Sequence, residues 1–446
     1  MSLYPFRDSR QMQLIKPLSL RRNFSWTFIG NLVYAASQWG MLVLLAKLGS
    51  PEMVGQFTLG LAVTAPVIMF TNLQLRGIQA TDAKGDYVFS DYLGLRLIGT
   101  GLALLIIAGI TLKAGYRWET SLVILAITLA KAFESISDVF YGLIQQHERM
   151  DRIAISMMIK GPLSLLLLGI GVYLTRTVLW GSIGLAVAWA IVLLSYDIRS
   201  GALMLRTSPW GTGEPKSSST SQNPLHPHWH LKTLGQLTWL TLPLGLVMML
   251  ISLNSNIPRY FIESYLGERE LGIFAALAYL MVAGNIVISA LGLSASPRLA
   301  KYYAAGNSTA FRTLVIKLVG MGAAIGVLAV LVALIAGREL LTIVYRPEYA
   351  QHKDLFVLVM VAAAIGYVAS FLGYGMTAAR YVRIQIPLFT AVTGTSAIAS
   401  LWLIPSLGLQ GAALALILAA IVQTVFSLGV IFHALHKIPK SGEMEI

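Results

Sequence analysis

Long apolar runs alternate with short polar breaks along almost the whole of this chain. Twelve such runs stand out, at about 23–46, 54–73, 92–113, 119–145, 152–175, 178–199, 236–262, 271–295, 312–336, 355–379, 383–404 and 409–435. A run of roughly 18 or more apolar residues is long enough to cross a hydrocarbon core as a helix. The pattern therefore predicts an all-α polytopic membrane protein with twelve transmembrane helices.

Inside several runs the polar residues themselves recur at helical spacing. In the fourth, Thr128, Lys131, Ser135, Asp138, Gly142 and Gln145 step by three or four and share one face, with Glu134 beside them. In the seventh, Thr241, Gly245, Met248, Ser252, Asn256, Arg259 and Glu263 do the same, and in the first Thr27, Asn31, Tyr34 and Gln38. An ionisable side chain near the bilayer centre costs roughly 2.5–3.5 kcal/mol on insertion scales, so such residues face a partner or a polar cavity. The cavity reading makes Lys131, Glu134 and Asp138 a substrate wall, with Asp138 or Glu134 able to bind a coupling ion. The packing reading makes Lys131 and Glu134 a self-neutralised seam, while Asp138 has no partner on its own helix. For Arg259 the alternatives are a cavity contact and an outer-interface side chain paired with Glu263. Pro243 and Pro258 remove backbone donors and point to a bent seventh span. Asn285, and Lys160 beside Gly161-Pro162, are weaker candidates, and Lys160 is expected at an interface.

Three landmarks occur twice in the same order. "LGSPEMVGQF" (48–57) matches "LGERELGIF" (266–274), "YGLIQQHERMDRIAI" (141–155) matches "YGMTAARYVRIQI" (374–386), and "GSIGLAVAWA" (181–190) matches "GLQGAALALI" (408–417). A repeat of six spans results, and an even number makes the copies parallel. The expected division is an N-terminal lobe at 1–205, a linker at 206–235 and a C-terminal lobe at 236–446. The charges are confined to one copy: Arg259 aligns with Met41, and Lys131, Glu134 and Asp138 with Ala364, Tyr367 and Phe371.

At these residues the chain resembles the polysaccharide transporter family. The resemblance rests on L-G-x-x-E-x-x-G-x-F after the first span, "IPRYFIESYLG…LGIFAALAYL", "ASPRLAKYY" and G-x-x-G-A opening the last span. That family comprises Wzx-type lipid-linked oligosaccharide flippases, in the superfamily of MATE drug exporters and MurJ-type flippases. The resemblance implies two six-helix bundles around a V-shaped central cleft. It also implies flipping of an undecaprenyl-pyrophosphate-linked oligosaccharide by alternating access. The cleft residues would be Asn31, Tyr34, Gln38, Lys131, Glu134, Asp138, Ser252, Asn256 and Arg259. Arg76, Arg96 and Arg298 flank inner loops, where they serve as membrane anchors or capture a pyrophosphate in bidentate fashion. A cation-coupled drug exporter would call for a more acidic, aromatic cavity. A membrane-embedded polymerase would call for a large outer loop with a catalytic cluster.

Composition supports the membrane setting: 56% of the 446 residues are hydrophobic and 12% charged, about half the charge of a soluble domain. The net charge of +13 reads as positive-inside bias rather than nucleic-acid binding. With a cytoplasmic N-terminus, 22 of the 33 Lys and Arg fall on inner segments and nine on outer ones, which places both termini inside. The N-terminal tail lacks a cleavable signal pattern, so the first span is expected to direct insertion. "RTSPWGTGEPKSSSTSQNPLHPHWH" (206–230) reads as a flexible inner linker. Its "GTGEPKS" lacks the spacing of a phosphate loop, and "NST" at 307–309 falls on the inner side, away from glycosylation. There are no cysteines, and all seven histidines lie outside span centres, so neither a metal site nor a cofactor beyond a coupling H+ or Na+ is expected. The expected partners are the lipid-linked oligosaccharide, membrane lipids and other polysaccharide-assembly proteins, in a bacterial inner membrane.

Overall fold

A computed structural model describes residues 18–82, 85–207, 225–381 and 383–437. Most of the linker, with its "GTGEPKS" segment, lies outside the described residues. Every apolar run read from the sequence lies on helix. The helices are α1 (Leu20–Leu48), α2 (Pro51–Thr71), α3 (Leu75–Thr81), α4 (Phe89–Lys113), α5 (Trp118–Gln146), α6 (Met150–Thr175), α7 (Val178–Val192) and α8 (Ile198–Thr207). They continue with α9 (Leu231–Leu266), α10 (Glu268–Tyr279), α11 (Met281–Ala304), α12 (Ser308–Val344), α13 (Pro347–Ala350), α14 (Lys353–Ala378), α15 (Gln385–Leu407) and α16 (Leu409–His436). One π-helical turn, Leu193–Asp197, joins α7 to α8. No strand occurs among the described residues. Eleven of the apolar runs are long and apolar enough to cross a membrane by length and composition, so this is a multi-pass membrane protein. The run not among those eleven is α5: it has 29 residues, but Lys131, Glu134 and Asp138 interrupt its apolar sequence.

The described helices form two compact units. The first holds α1 up to Leu44 together with Val63–Met249, and the second holds Leu45–Ala62 with the described residues from Leu250 onward. The boundary passes through α1, α2 and α9, not through the linker expected at 206–235. The core of the first unit gathers Leu75, Tyr92, Val139, Phe140 and Leu237. That of the second gathers Ile288, Phe311, Tyr367, Phe371 and Ile431.

Paired sequence landmarks have paired geometry. In the second unit, a Cβ on Gly55 of α2 would lie 1.8 Å from the Glu268 carbonyl oxygen. One on Gly272 of α10, the aligned glycine, would lie 1.8 Å from the Pro51 carbonyl oxygen. Two equivalent glycines therefore admit one reciprocal backbone crossing that no side chain could enter. The loops of the second landmark agree as well: Glu148 and Arg380 adopt left-handed φ of 54° and 64°. Each is followed by an amide that reaches five residues back, Arg149 to Ile144 and Tyr381 to Met376, the helix-closing bond of a Schellman turn.

The expected bend of the seventh span is not a break, for α9 runs as one helix through Pro243 and Pro258. At Pro66 of α2 the missing amide has a visible consequence. Ala62, four residues earlier, loses its helical donor, and Tyr260 Oη of α9 donates to its carbonyl at 2.5 Å.

Candidate functional site

The first unit holds a partly open cavity of about 550 Å³. Its charged wall comes from α5, where the three-and-four spacing sets Lys131, Glu134, Ser135, Asp138 and Gln145 towards one space. Tyr34 of α1, Asn72 and Arg76 at the end of α2 and on α3, Lys160 of α6 and Met248 of α9 complete it.

Desolvated charges need partners, and around this cavity they come from several helices. Lys131 Nζ donates to Glu134 Oε2 at 2.7 Å, and Tyr34 Oη donates to Glu134 Oε1 at 2.8 Å. Lys131 also lies 5.0 Å from the Trp189 ring centroid, a cation–π distance. Asp138, alone on its own helix, accepts from Arg96 Nη2 at 3.0 Å and lies 3.5 Å from Arg76 Nη1. Arg76 also donates to Gln145 Oε1 at 3.0 Å, and its guanidinium lies 5.4 Å from the Tyr141 ring centroid. Lys160 Nζ donates to Tyr141 Oη at 3.1 Å and lies 3.5 Å from Asp197 Oδ2. The cavity wall and the partners behind it thus carry four cations, Arg76, Arg96, Lys131 and Lys160, against the carboxylates Glu134, Asp138 and Asp197. An excess of positive charge beside hydroxyl and amide groups suits an anionic ligand with hydrogen-bonding substituents. Among the described residues, no three His, Cys, Asp or Glu side chains converge as metal ligands would.

Two sequence expectations need correction, those for Arg96 and Lys160, and the other candidates take up separate positions. Arg96 is no mouth residue: it is fully buried and held by Asp138. Arg76 lines the cavity, while Arg298 is an exposed residue of α11 in the second unit. Lys160 is not interfacial; only 2% of it is exposed, because Asp197 and Tyr141 compensate its charge inside the helix bundle. Asn31 is exposed and Gln38 half-buried, and neither lines this cavity. Ser252, Asn256 and Arg259 lie in the second unit. There Arg259 Nη1 turns back to Asn256 Oδ1 at 3.0 Å rather than forward to Glu263, and Asn256 Nδ2 donates to the Ser252 carbonyl at 2.8 Å. Asn285 is exposed. The residues that sequence reasoning missed are Asp197, Ser156, Tyr141 and Trp189. Asp197 alone had left a signal, an acid inside an apolar run.

The comparisons with known proteins bear on this arrangement. The family model described as "Polysaccharide biosynthesis protein" matches residues 20–303. This chain belongs to the polysaccharide biosynthesis protein family. One relative in the family's line of work is the capsular polysaccharide biosynthesis protein CapF of Staphylococcus aureus, 29% identical over 404 residues, with 91% of this chain and 97% of CapF covered. Among solved structures, a point mutant of the Vibrio cholerae MATE transporter VcmN superposes with a TM-score of 0.64 at 15% identity, over 96% of this chain and 98% of that one. A MOP superfamily transporter from Pyrococcus furiosus gives 0.56 at 16% identity, over 97% and 100%. The description of the latter states that reverse polarity of its binding pocket suggests a different function. At these identities the likeness establishes the fold, which is that of MATE transporters. The resemblance read from the paired motifs is thereby borne out at the level of family and fold.

Proposed function

We propose that this polysaccharide biosynthesis protein is a flippase of the bacterial inner membrane. It carries an undecaprenyl-pyrophosphate-linked oligosaccharide from the inner to the outer leaflet by alternating access, with both termini cytoplasmic and α5 as the twelfth span. The observation that carries the reading is the cavity of about 550 Å³ with Arg76, Lys131 and Lys160 in its wall. Cations that outnumber carboxylates suit a pyrophosphate, and Tyr34, Asn72, Ser135 and Gln145 offer partners for sugar hydroxyls. The prenyl chain stays in lipid. Asn31 and Gln38 in the first unit, and separately Ser252, Asn256 and Arg259 in the second, are the further candidates for glycan contacts, and Arg298 for a first encounter with the phosphate. A coupling H+ or Na+ at Asp138 or Glu134 has to displace the Arg and Lys side chains paired there and frees them for the anionic headgroup, which links ion binding to capture of the cargo.

Reconstituted protein given fluorescent lipid-linked glycan tests the proposal. Flipping that is accelerated over protein-free vesicles, and lost in Lys131→Met, is the expected result. Ethidium export without glycan flipping would instead assign the fold to drug efflux.

A further inference from the structure

Behind the cavity wall four side chains close a ring. Lys160 Nζ donates to Tyr141 Oη at 3.1 Å, Tyr141 Oη and Ser156 Oγ share a hydrogen bond of 2.7 Å, and Ser156 Oγ donates to Asp197 Oδ1 at 2.5 Å. Asp197 Oδ2 then faces Lys160 Nζ at 3.5 Å. Lys160 and Tyr141 line the cavity, whereas Ser156 and Asp197 do not. Ser156 and Asp197 are wholly buried.

The chemistry of the donors gives this ring a direction. An ionised carboxylate only accepts. Ser156, having spent its single proton on Asp197, must accept from Tyr141, and Tyr141 must then accept from Lys160. The ammonium has three N–H groups; one goes to Tyr141 and one points at Asp197, which leaves one for the cavity. The remaining surroundings hold the ammonium in place. The Tyr141 and Trp189 ring centroids lie 5.1 and 6.0 Å from Nζ. Trp189 Nε1 donates to Ser164 Oγ at 2.7 Å, and Ser164 Oγ to the Lys160 carbonyl at 2.5 Å. Glu134, the other acid within electrostatic reach of Lys160, is engaged by Lys131 and Tyr34.

Asp197 reaches this position through a backbone irregularity. It closes the π-helical turn Leu193–Asp197. Such a turn takes one residue more than an α-turn, so every later side chain is rotated by about 100° from the face it would otherwise occupy. π-Turns of this kind are frequent at functional sites.

We infer that Asp197 is a positioning residue that acts through Lys160, fixing the ammonium at the cavity wall with one N–H offered to the negative charge of the cargo. The cargo rests on the transport reading above; the coupling of Asp197 to Lys160 does not. In proteoliposomes bearing a fluorescent undecaprenyl-pyrophosphate-linked glycan, Asp197→Asn is expected to raise KM at least tenfold while leaving the flipping rate at saturation within twofold. Lys160→Met should do the same, and the double variant should be no worse than either single one. Effects that multiply in the double variant, or a loss confined to the saturated rate, would overturn the inference.

A second measurement does not involve the cargo. Acylation of Lys160 by a membrane-permeant amine reagent, followed by peptide mass spectrometry at pH 8, is expected to run at least fivefold faster in Asp197→Asn and at the wild-type rate in Asp197→Glu. Equal rates in wild type and Asp197→Asn would end the proposal even if the glycan is flipped. Conversely, accelerated labelling in a protein that flips no glycan would retain Asp197 and reject the flippase. Ser156→Ala keeps both charges and covers the case in which Asp197→Asn fails to insert: a several-fold increase in labelling is expected, and no increase would refute the ring.

Discussion

Tyr260→Phe removes a hydrogen bond whose need arises from a proline elsewhere. Pro66 has no amide proton, so the carbonyl of Ala62 lacks its helical donor, and Ala62 is wholly buried. The Tyr260 hydroxyl, 2.5 Å away, supplies it. Removing the hydroxyl leaves a buried acceptor unpaired, at a cost of about 1–3 kcal/mol. In a Pro66→Ala background the restored amide takes Ala62, and the same Tyr260→Phe change removes only an ordinary bond, worth about 0.5–1.5 kcal/mol or less. The cycle should therefore show a coupling on the order of 1 kcal/mol. At roughly 2 °C per kcal/mol for a long chain, Tyr260→Phe lowers the melting temperature by some 2–6 °C in the natural background and by clearly less beside Pro66→Ala. Intrinsic tryptophan fluorescence in detergent can follow the transition, since the chain has nine tryptophans, and thiol-reactive dyes have no target because it lacks cysteine. An equal loss in both backgrounds would show that the hydroxyl does not stand in for the amide that Pro66 removed.

Asp138→Asn is expected to abolish flipping and also to destabilise the protein by about 3 kcal/mol, because it leaves the buried Arg96 without its counter-charge. Adding Arg96→Met should recover the melting temperature but not the transport, and full recovery of both would confine Asp138 to packing. Gly55→Ala and Gly272→Ala should each destabilise, by at least the 1–3 kcal/mol typical of overpacking, since either Cβ would meet a backbone carbonyl at 1.8 Å; equal melting temperatures for wild type and both variants would contradict the reciprocal crossing. Arg269 bridges Glu52 and Glu348 in the second unit but is half exposed. Arg269→Ala should shift the melting temperature little at low salt and not at all in high salt, and a large salt-independent loss would show that the cluster is more than a surface pair.

Much of this protein is legible in one dimension. Helix existence follows from apolar runs longer than the hydrocarbon core is thick, and the repeat follows from three landmarks that occur twice in the same order. The stripe on α5 follows too, because Lys131, Ser135, Asp138 and Gln145 are three or four residues apart and periodicity is a property of a single helix. Periodicity is silent on which faces meet. Asp138 finds Arg96 from 42 residues away, and Lys160 finds Asp197 only after a π-turn that no spacing rule anticipates. Tertiary packing decided those pairings, since a desolvated charge selects its partner among whatever neighbouring helices bring within reach. The sequence thus determined which residues cannot face lipid, and the fold determined what they face instead.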